Sequence, residues 1–176
     1  MKKTALYSLA LFAGVNFLSS CGRSGYFTTN NHLRNNVTGV DTEGFRFFKT
    51  TYEKASHGAE LAKFVGSLNT SASVKELAGQ IASTYDSILP TVYSLAEKNH
   101  VLLPDPGMPA FEVPAAIGGK DSVAFNEAAY LKEALKTQEE LTEQFEVVSE
   151  NTLPGLNAYA RLQLPKMEKL KEELAK

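Results

Sequence analysis

The sequence predicts an all-α domain, a four-helix bundle spanning residues 42–176. Three observations carry this. Apolar residues recur at steps of three and four in four separate stretches, a proline- and glycine-rich segment divides those stretches two and two, and no stretch alternates apolar with polar residues as a half-buried strand does. Amphipathic helices of about 25 residues each hide one apolar stripe, and packing four such stripes together buries them all.

The first stripe reads Phe48, Tyr52, Ala55, Ala59, Ala62 and Val65, and the chain breaks at Asn69-Thr70-Ser71. Ser73 with Glu76 fits a capping box, in which a side-chain oxygen and a carboxylate satisfy the first free N–H groups of a helix. The second stripe is Val74, Leu77, Ile81, Tyr85, Ile88, Val92 and Leu95, with Pro90 inside it, where the missing N–H deletes a ladder bond and should kink the helix. Leu102 to Gly119 holds four of the seven prolines and three glycines, which forbids a helix and marks one long connection. Its single PxxP spacing, Pro106 to Pro109, reads as part of a crossover rather than as a partner-binding motif. Asp121 or Ser122 can cap the third helix, whose stripe runs Ala124, Ala128, Leu131, Leu135, Gln138, Leu141, Phe145 and Val148. Ser149 to Thr152 ends it, and Pro154 suits the first turn of the fourth, which carries Leu153, Leu156, Ala160, Leu164, Met167, Leu170 and Leu174, with Pro165 as a second kink.

The first 41 residues have another character. Lys2 and Lys3 give a positive start, and Ala5 to Leu18 is apolar apart from Ser8, Gly14 and Asn16. That run falls short of the roughly 20 residues a spanning helix needs, so residues 1–20 read as a secretory signal. The signal ends in Leu18-Ser19-Ser20-Cys21-Gly22, which resembles the lipobox of bacterial lipoproteins. The resemblance implies cleavage after Ser20, diacylglycerol on the Cys21 sulfur and a fatty acid such as palmitate on the new amino group. This covalent lipid is the one prosthetic addition expected; no other cofactor is. Two or three acyl chains hold a protein at a bilayer, where one does so only marginally. Gly22 is not the aspartate that retains some lipoproteins in the inner membrane, so the expected location is the outer membrane, facing the periplasm. Residues 21–41 are polar and asparagine-rich and read as a tether. Fully extended, the roughly 19 residues from Gly22 to Val40 reach on the order of 60 Å.

Composition excludes several functions. The formal net charge is −2, or −4 once Lys2 and Lys3 are removed, which leaves no basic footprint for nucleic acid. One cysteine permits no internal disulfide, cysteine-built zinc site or thiol redox pair. Tryptophan is absent, and His32, His57 and His100 are scant material for a metal or general-base site.

The order of residues resembles a bacterial envelope family, domain of unknown function 4142, described as predicted outer-membrane proteins with a ferritin-like four-helix fold. The matching stretches are Ala59 to Lys63, Val74 to Ala78, Leu95 to Pro104 (LAEKNHVLLP), Ala129-Tyr130-Leu131, Phe145, Ala158-Tyr159-Ala160 and Leu164-Pro165. They cover about residues 45 to 175. Many members place one histidine in the second helix, one in the third and one after the Leu-Pro of the last. The resemblance puts Tyr85, Gln138 and Leu170 at those positions, so imidazole ligation is lost at all three.

A dinuclear site of the ferritin-like kind needs a Glu from each of two helices and Glu-x-x-His from each of the other two. Here Glu97 with His100 is the one such pair, and His57 with Glu60 is a reversed one. If those pairs met, the chain would be a degenerate ferritin-like metal-binding protein or oxidase. If they are surface and helix-end residues, it holds no metal there. Glu60, between Ala59 and Leu61, is expected at the edge of the apolar stripe, because a buried carboxylate is costly unless paired. Tyr85 and Gln138 lie on facing stripes and can hydrogen-bond across the bundle as a neutral pair. The expected function is therefore a lipid-anchored, non-enzymatic binding or structural module, with the membrane and an envelope protein as partners.

Overall fold

A computed structural model describes residues 39–107, 110–119, 124–151 and 153–176. The expected signal, the lipobox-like Leu18 to Cys21 and the expected tether up to residue 38 lie outside the described residues. The described residues form four helices: α1 (Thr42–Ser67), α2 (Ala72–Lys98), α3 (Glu127–Ser149) and α4 (Pro154–Leu174). No strand occurs among the described residues. Likewise, no helix among them is long and apolar enough to cross a membrane.

α1 packs against α2 and α3, and α4 packs against α3 and, more lightly, α2. Cross-helix contacts give the directions. Asp41 meets Asn151, Phe47 meets Phe145 and Lys54 pairs with Glu140, so α1 and α3 are antiparallel. The short connections make α1–α2 and α3–α4 antiparallel hairpins. Thus α1 and α4 run one way, α2 and α3 the other, and residues 99–126 must return along the bundle's length between two parallel helices. On the way Leu102 accepts a hydrogen bond from Lys49 Nζ (3.4 Å), Phe111 lies 5.3 Å from the His57 ring, and Gly119 comes up against Phe64 and Leu68. The buried Ile117 pins this crossover to the core.

The first stripe is buried throughout, and the second along most of its length, with Leu77 and Leu95 half-buried and Ala78 and Ala96 taking the deep positions beside them. The third differs from expectation. Its inward residues are Tyr130, Ala134, Gln138, Leu141, Phe145 and Val148, while Leu131 and Leu135 are half-buried and Ala124 and Ala128 exposed. α3 begins only at Glu127, capped by Asn126, whose side chain accepts from Ala129 N–H (3.0 Å). Asp121 and Ser122 lie outside the described residues. Asn126 is set there because its own N–H donates to the Ile117 carbonyl (2.8 Å), so the crossover fixes where the helix starts. In the fourth stripe Leu156, Ala160, Met167, Leu170 and Leu174 are buried, Leu153 and Leu164 half-buried, and Pro154 occupies the first turn. Both α2 and α4 continue as helix through their prolines, Pro90 and Pro165.

The capping of α2 corrects the sequence reading. Its N-cap is Ser71, not Ser73, and the Ser71 hydroxyl accepts from Val74 N–H (3.4 Å). A capping box on Ser71 would need a carboxylate at position 74, which is valine. Glu127 of α3 supplies it instead, accepting from the Ser71 N–H (2.9 Å) and from the Thr70 hydroxyl. These hydrogen bonds, Thr70 first, hold the Glu127 carboxyl below its ordinary range. At the opposite end Asp41 caps α1 through Gly44 N–H (2.8 Å) and accepts from Asn151 Nδ2 (2.9 Å). Gly39 N–H donates to the Asn99 carbonyl (2.7 Å), so Gly39 to Asp41, read from sequence as the end of the tether, are already attached to the bundle.

Candidate functional site

Tyr85 of α2, Gln138 of α3 and Met167 of α4 meet in the interior. The Tyr85 hydroxyl donates to Gln138 Oε1 (2.9 Å), the pairing expected from sequence. Gln138 Nε2 donates to the Met167 carbonyl (2.8 Å) and, more weakly, to Thr142 Oγ1 (3.4 Å), while the Thr142 hydroxyl donates to the Gln138 carbonyl (2.7 Å). Tyr85, Gln138 and Thr142 are all but inaccessible to solvent, so an unmade bond here would carry its full desolvation cost.

The chemistry of this cluster is neutral. Burial, reinforced by the neighbouring Tyr130 phenol, pushes the Tyr85 hydroxyl far above its ordinary value, and its acceptor is an amide, which takes no proton. Burial likewise raises Tyr130, whose hydroxyl has no hydrogen-bond partner among the described residues. Leu170, the third position singled out by the family resemblance, is a buried leucine on α4. Tyr85, Gln138 and Leu170 thus offer neither an imidazole nor a carboxylate, and nothing among them exchanges a proton near neutral pH.

Gly58 lets the Tyr85 ring pass beneath α1. A Cβ there would lie 2.6 Å from Tyr85 Cε2 and 3.0 Å from Cδ2. Beside it a cleft of about 10 Å³ runs between α1 and α3, from His57 and Glu133 at its mouth to Tyr85 and Tyr130. That volume suits at most one water molecule. A wider, open groove of about 590 Å³ separates α2 from α4, lined by Gly79, Gln80 and Ser83 on one side and Lys166 and Lys169 on the other.

The two acid–histidine pairs do not come together. His57 and Glu60 are exposed on the middle of α1, with Glu60 bound to Lys63 (3.0 Å), which also reaches Asp86 (3.1 Å). Glu97 and His100 sit at the end of α2, level with the first turns of α1. Matching Lys63 with Asp86 and Lys49 with Leu102 offsets the two pairs along the bundle by roughly 6–15 Å at 1.5 Å per residue. Among the described residues no three His, Cys, Asp or Glu side chains are grouped to hold a metal ion. His100 has a backbone role: at φ 57° it is the left-handed residue that closes α2. Its N–H donates to the Glu97 carbonyl (3.0 Å) and that of Val101 to Ala96 (2.9 Å), the paired bonds of a Schellman motif. Glu60 is exposed beside the buried Ala59 and Leu61, at the edge expected of a carboxylate that is costly to bury.

Sequence reasoning missed Gly58, Tyr130, the Glu127 clasp and the Asp41–Asn151 pair. Tyr130 had a signal, because counting back from Phe145 and Leu141 by helical steps reaches Ala134 and Tyr130. The others depend on which helices meet at which height. Neither a family model, nor a curated protein, nor a solved structure matches the chain.

Proposed function

We propose that this protein is a lipid-anchored helical module of the bacterial cell envelope, held through Cys21 at the outer membrane on its periplasmic side, and that its bundle serves binding or structure rather than catalysis. The observation that carries the reading is Leu18-Ser19-Ser20-Cys21, which sets the sole cysteine directly after a short apolar stretch with a basic start. A thiolate is the natural nucleophile for taking up a thioether-linked lipid, so the uniqueness of Cys21 marks location rather than redox chemistry.

The bundle supports the rest. One long crossover between parallel α2 and α3 is the connectivity of ferritin-like folds, which favours the ferritin-like reading and with it the resemblance to the domain of unknown function 4142 family. Where that resemblance calls for histidines, the chain has Tyr85 and Gln138, bonded to each other, and Leu170. A neutral, internally satisfied centre is suited to rigidity.

Fractionation tests this reading. The wild-type chain is expected in washed membranes and Cys21→Ser in the soluble fraction, with neither form retaining iron or manganese in stoichiometric amount. Persistence of Cys21→Ser in washed membranes overturns the anchor. Stoichiometric metal with turnover of peroxide or ferrous iron overturns the non-catalytic assignment and returns His57, Glu60, Glu97 and His100 to consideration.

A further inference from the structure

We propose that the end of the bundle where the chain enters docks onto the lipid bilayer itself, through Phe45, Leu102 and Val147. Singly exposed apolar side chains are ordinary on a protein surface; their distribution is what informs here. The exposed large hydrophobics among the described residues are Phe45 (42%), Leu102 (88%), Val147 (41%) and Leu162 (67%).

The antiparallel pairing of α1 with α3, from Asp41–Asn151 to Phe47–Phe145, puts Phe45 and Val147 at one height. The bond from Lys49 to the Leu102 carbonyl puts Leu102 within a turn of them. All three fall within about eight residues of the start of α1, on the order of 12 Å of a helix that continues for roughly 39 Å. Leu162 stands further along but in the same half, since its neighbour Arg161 donates to the Ser149 carbonyl (2.8 Å) at the α3–α4 connection. The far half carries none of these exposed large side chains among the described residues.

Two features select a bilayer as the occupant. Phe45, Leu102 and Val147 come from three elements, α1, the crossover and α3, at one end of the bundle, while Leu162 of α4 stands further along. A flat surface met end-on reaches all three of these elements together. This is also the end at which the chain arrives, at Gly39, some 18 residues after Cys21. Here the proposal rests on the lipid-anchor reading. A tether of that length holds the bundle at an effective concentration of the order of millimolar near the surface, so a few apolar side chains suffice to set its orientation. Arg46, Lys49, Lys98 and Arg161 are outnumbered at this end by Asp41, Glu43, Glu97, Asp105, Glu146 and Glu150, so the attraction is apolar and is not weakened by salt.

The absence of tryptophan from the sequence provides the test. Leu102→Trp places a single indole at a nearly fully exposed position, and Lys75→Trp, exposed at the other end, is its counterpart. Each full-length lipidated chain is reconstituted into phosphatidylethanolamine–phosphatidylglycerol vesicles with plain or brominated acyl chains, and flotation is scored separately from fluorescence. The expected result is co-flotation of both, with a blue shift and loss of most emission in brominated vesicles for Leu102→Trp alone, undiminished in high salt. Adding Phe45→Asp and Val147→Asp should restore water-exposed emission while the protein still floats. Co-flotation with Leu102→Trp unquenched overturns docking and leaves the anchor intact. Equal quenching of both reporters overturns the end-on orientation, and failure to float removes anchor and docking together.

Discussion

Replacing Gln138 by leucine keeps approximate volume but takes away the acceptor of the Tyr85 hydroxyl and the donor to the Met167 carbonyl. The carbonyl sits within α4, where the helical ladder provides another partner. The phenol, 1% exposed, has no such alternative. An orphaned buried group costs about 1–3 kcal/mol, so with the loss of the second bond Gln138→Leu should destabilise by about 2–3 kcal/mol. Tyr85→Phe leaves Gln138 Oε1 unpaired instead and should cost about 1–2 kcal/mol. Removing both partners leaves less to satisfy, so the double variant should cost less than the sum by at least about 1 kcal/mol. For a domain of this size 1 kcal/mol moves Tm by about 3–4 °C, so the coupling is resolvable in thermal melts followed by far-UV circular dichroism. Strict additivity of the two substitutions would refute the interhelical bond as the organising contact of the interior.

Further tests address the other contacts. Gly58→Ala forces a Cβ against the Tyr85 ring and should destabilise by about 1–3 kcal/mol; combined with Tyr85→Leu the penalty should vanish, leaving the alanine's helix preference of up to about 1 kcal/mol. His100→Gly relieves a side chain from the left-handed region and should stabilise by about 1 kcal/mol, visible as a raised Tm; a loss of stability would mean that the imidazole makes an unrecognised contact. Glu127→Gln should weaken the clasp onto Ser71 and Thr70 near neutral pH. The folded carboxyl is lowered, so its contribution is present above the unfolded value and lost as pH falls through the folded one; the variant and wild type should therefore converge in acid melts. The tyrosines act in the opposite direction. Burial raises Tyr85 and Tyr130 and pushes Tyr159 up to about 12, so their contribution is complete below the unfolded value near 10 and is lost as pH rises toward the folded ones. Phenolate absorbance should show them ionising only with unfolding at alkaline pH.

How much of this was legible in the sequence depends on the range of the interaction. Helical period alone located four helices and most of the core, because each buried residue repeats its neighbour's environment one turn away. Tyr85 and Gln138 were paired correctly because each is a polar residue on an otherwise apolar stripe, and buried polar groups need partners. Period failed at the start of α3, where Asn126 is fixed by the Ile117 carbonyl of the crossover, a contact with no periodic signature. It failed again at Ser71, whose capping carboxylate, Glu127, comes from 56 residues away. Gly58 reads locally as a poor helix residue, and only the passage of Tyr85 beneath it explains it. The His57–Glu60 and Glu97–His100 spacings look like ligand pairs, yet each is set by one helix alone, whereas a site needs both at one height.

Intact-mass and peptide mass spectrometry of the chain extracted from washed membranes tests the proposed anchor most directly. The expected mature protein begins at Cys21, with diacylglycerol on sulfur and a fatty acyl group on the amino terminus. A chain that retains Met1 to Ser20, or one cleaved elsewhere with a free Cys21 thiol, would contradict it.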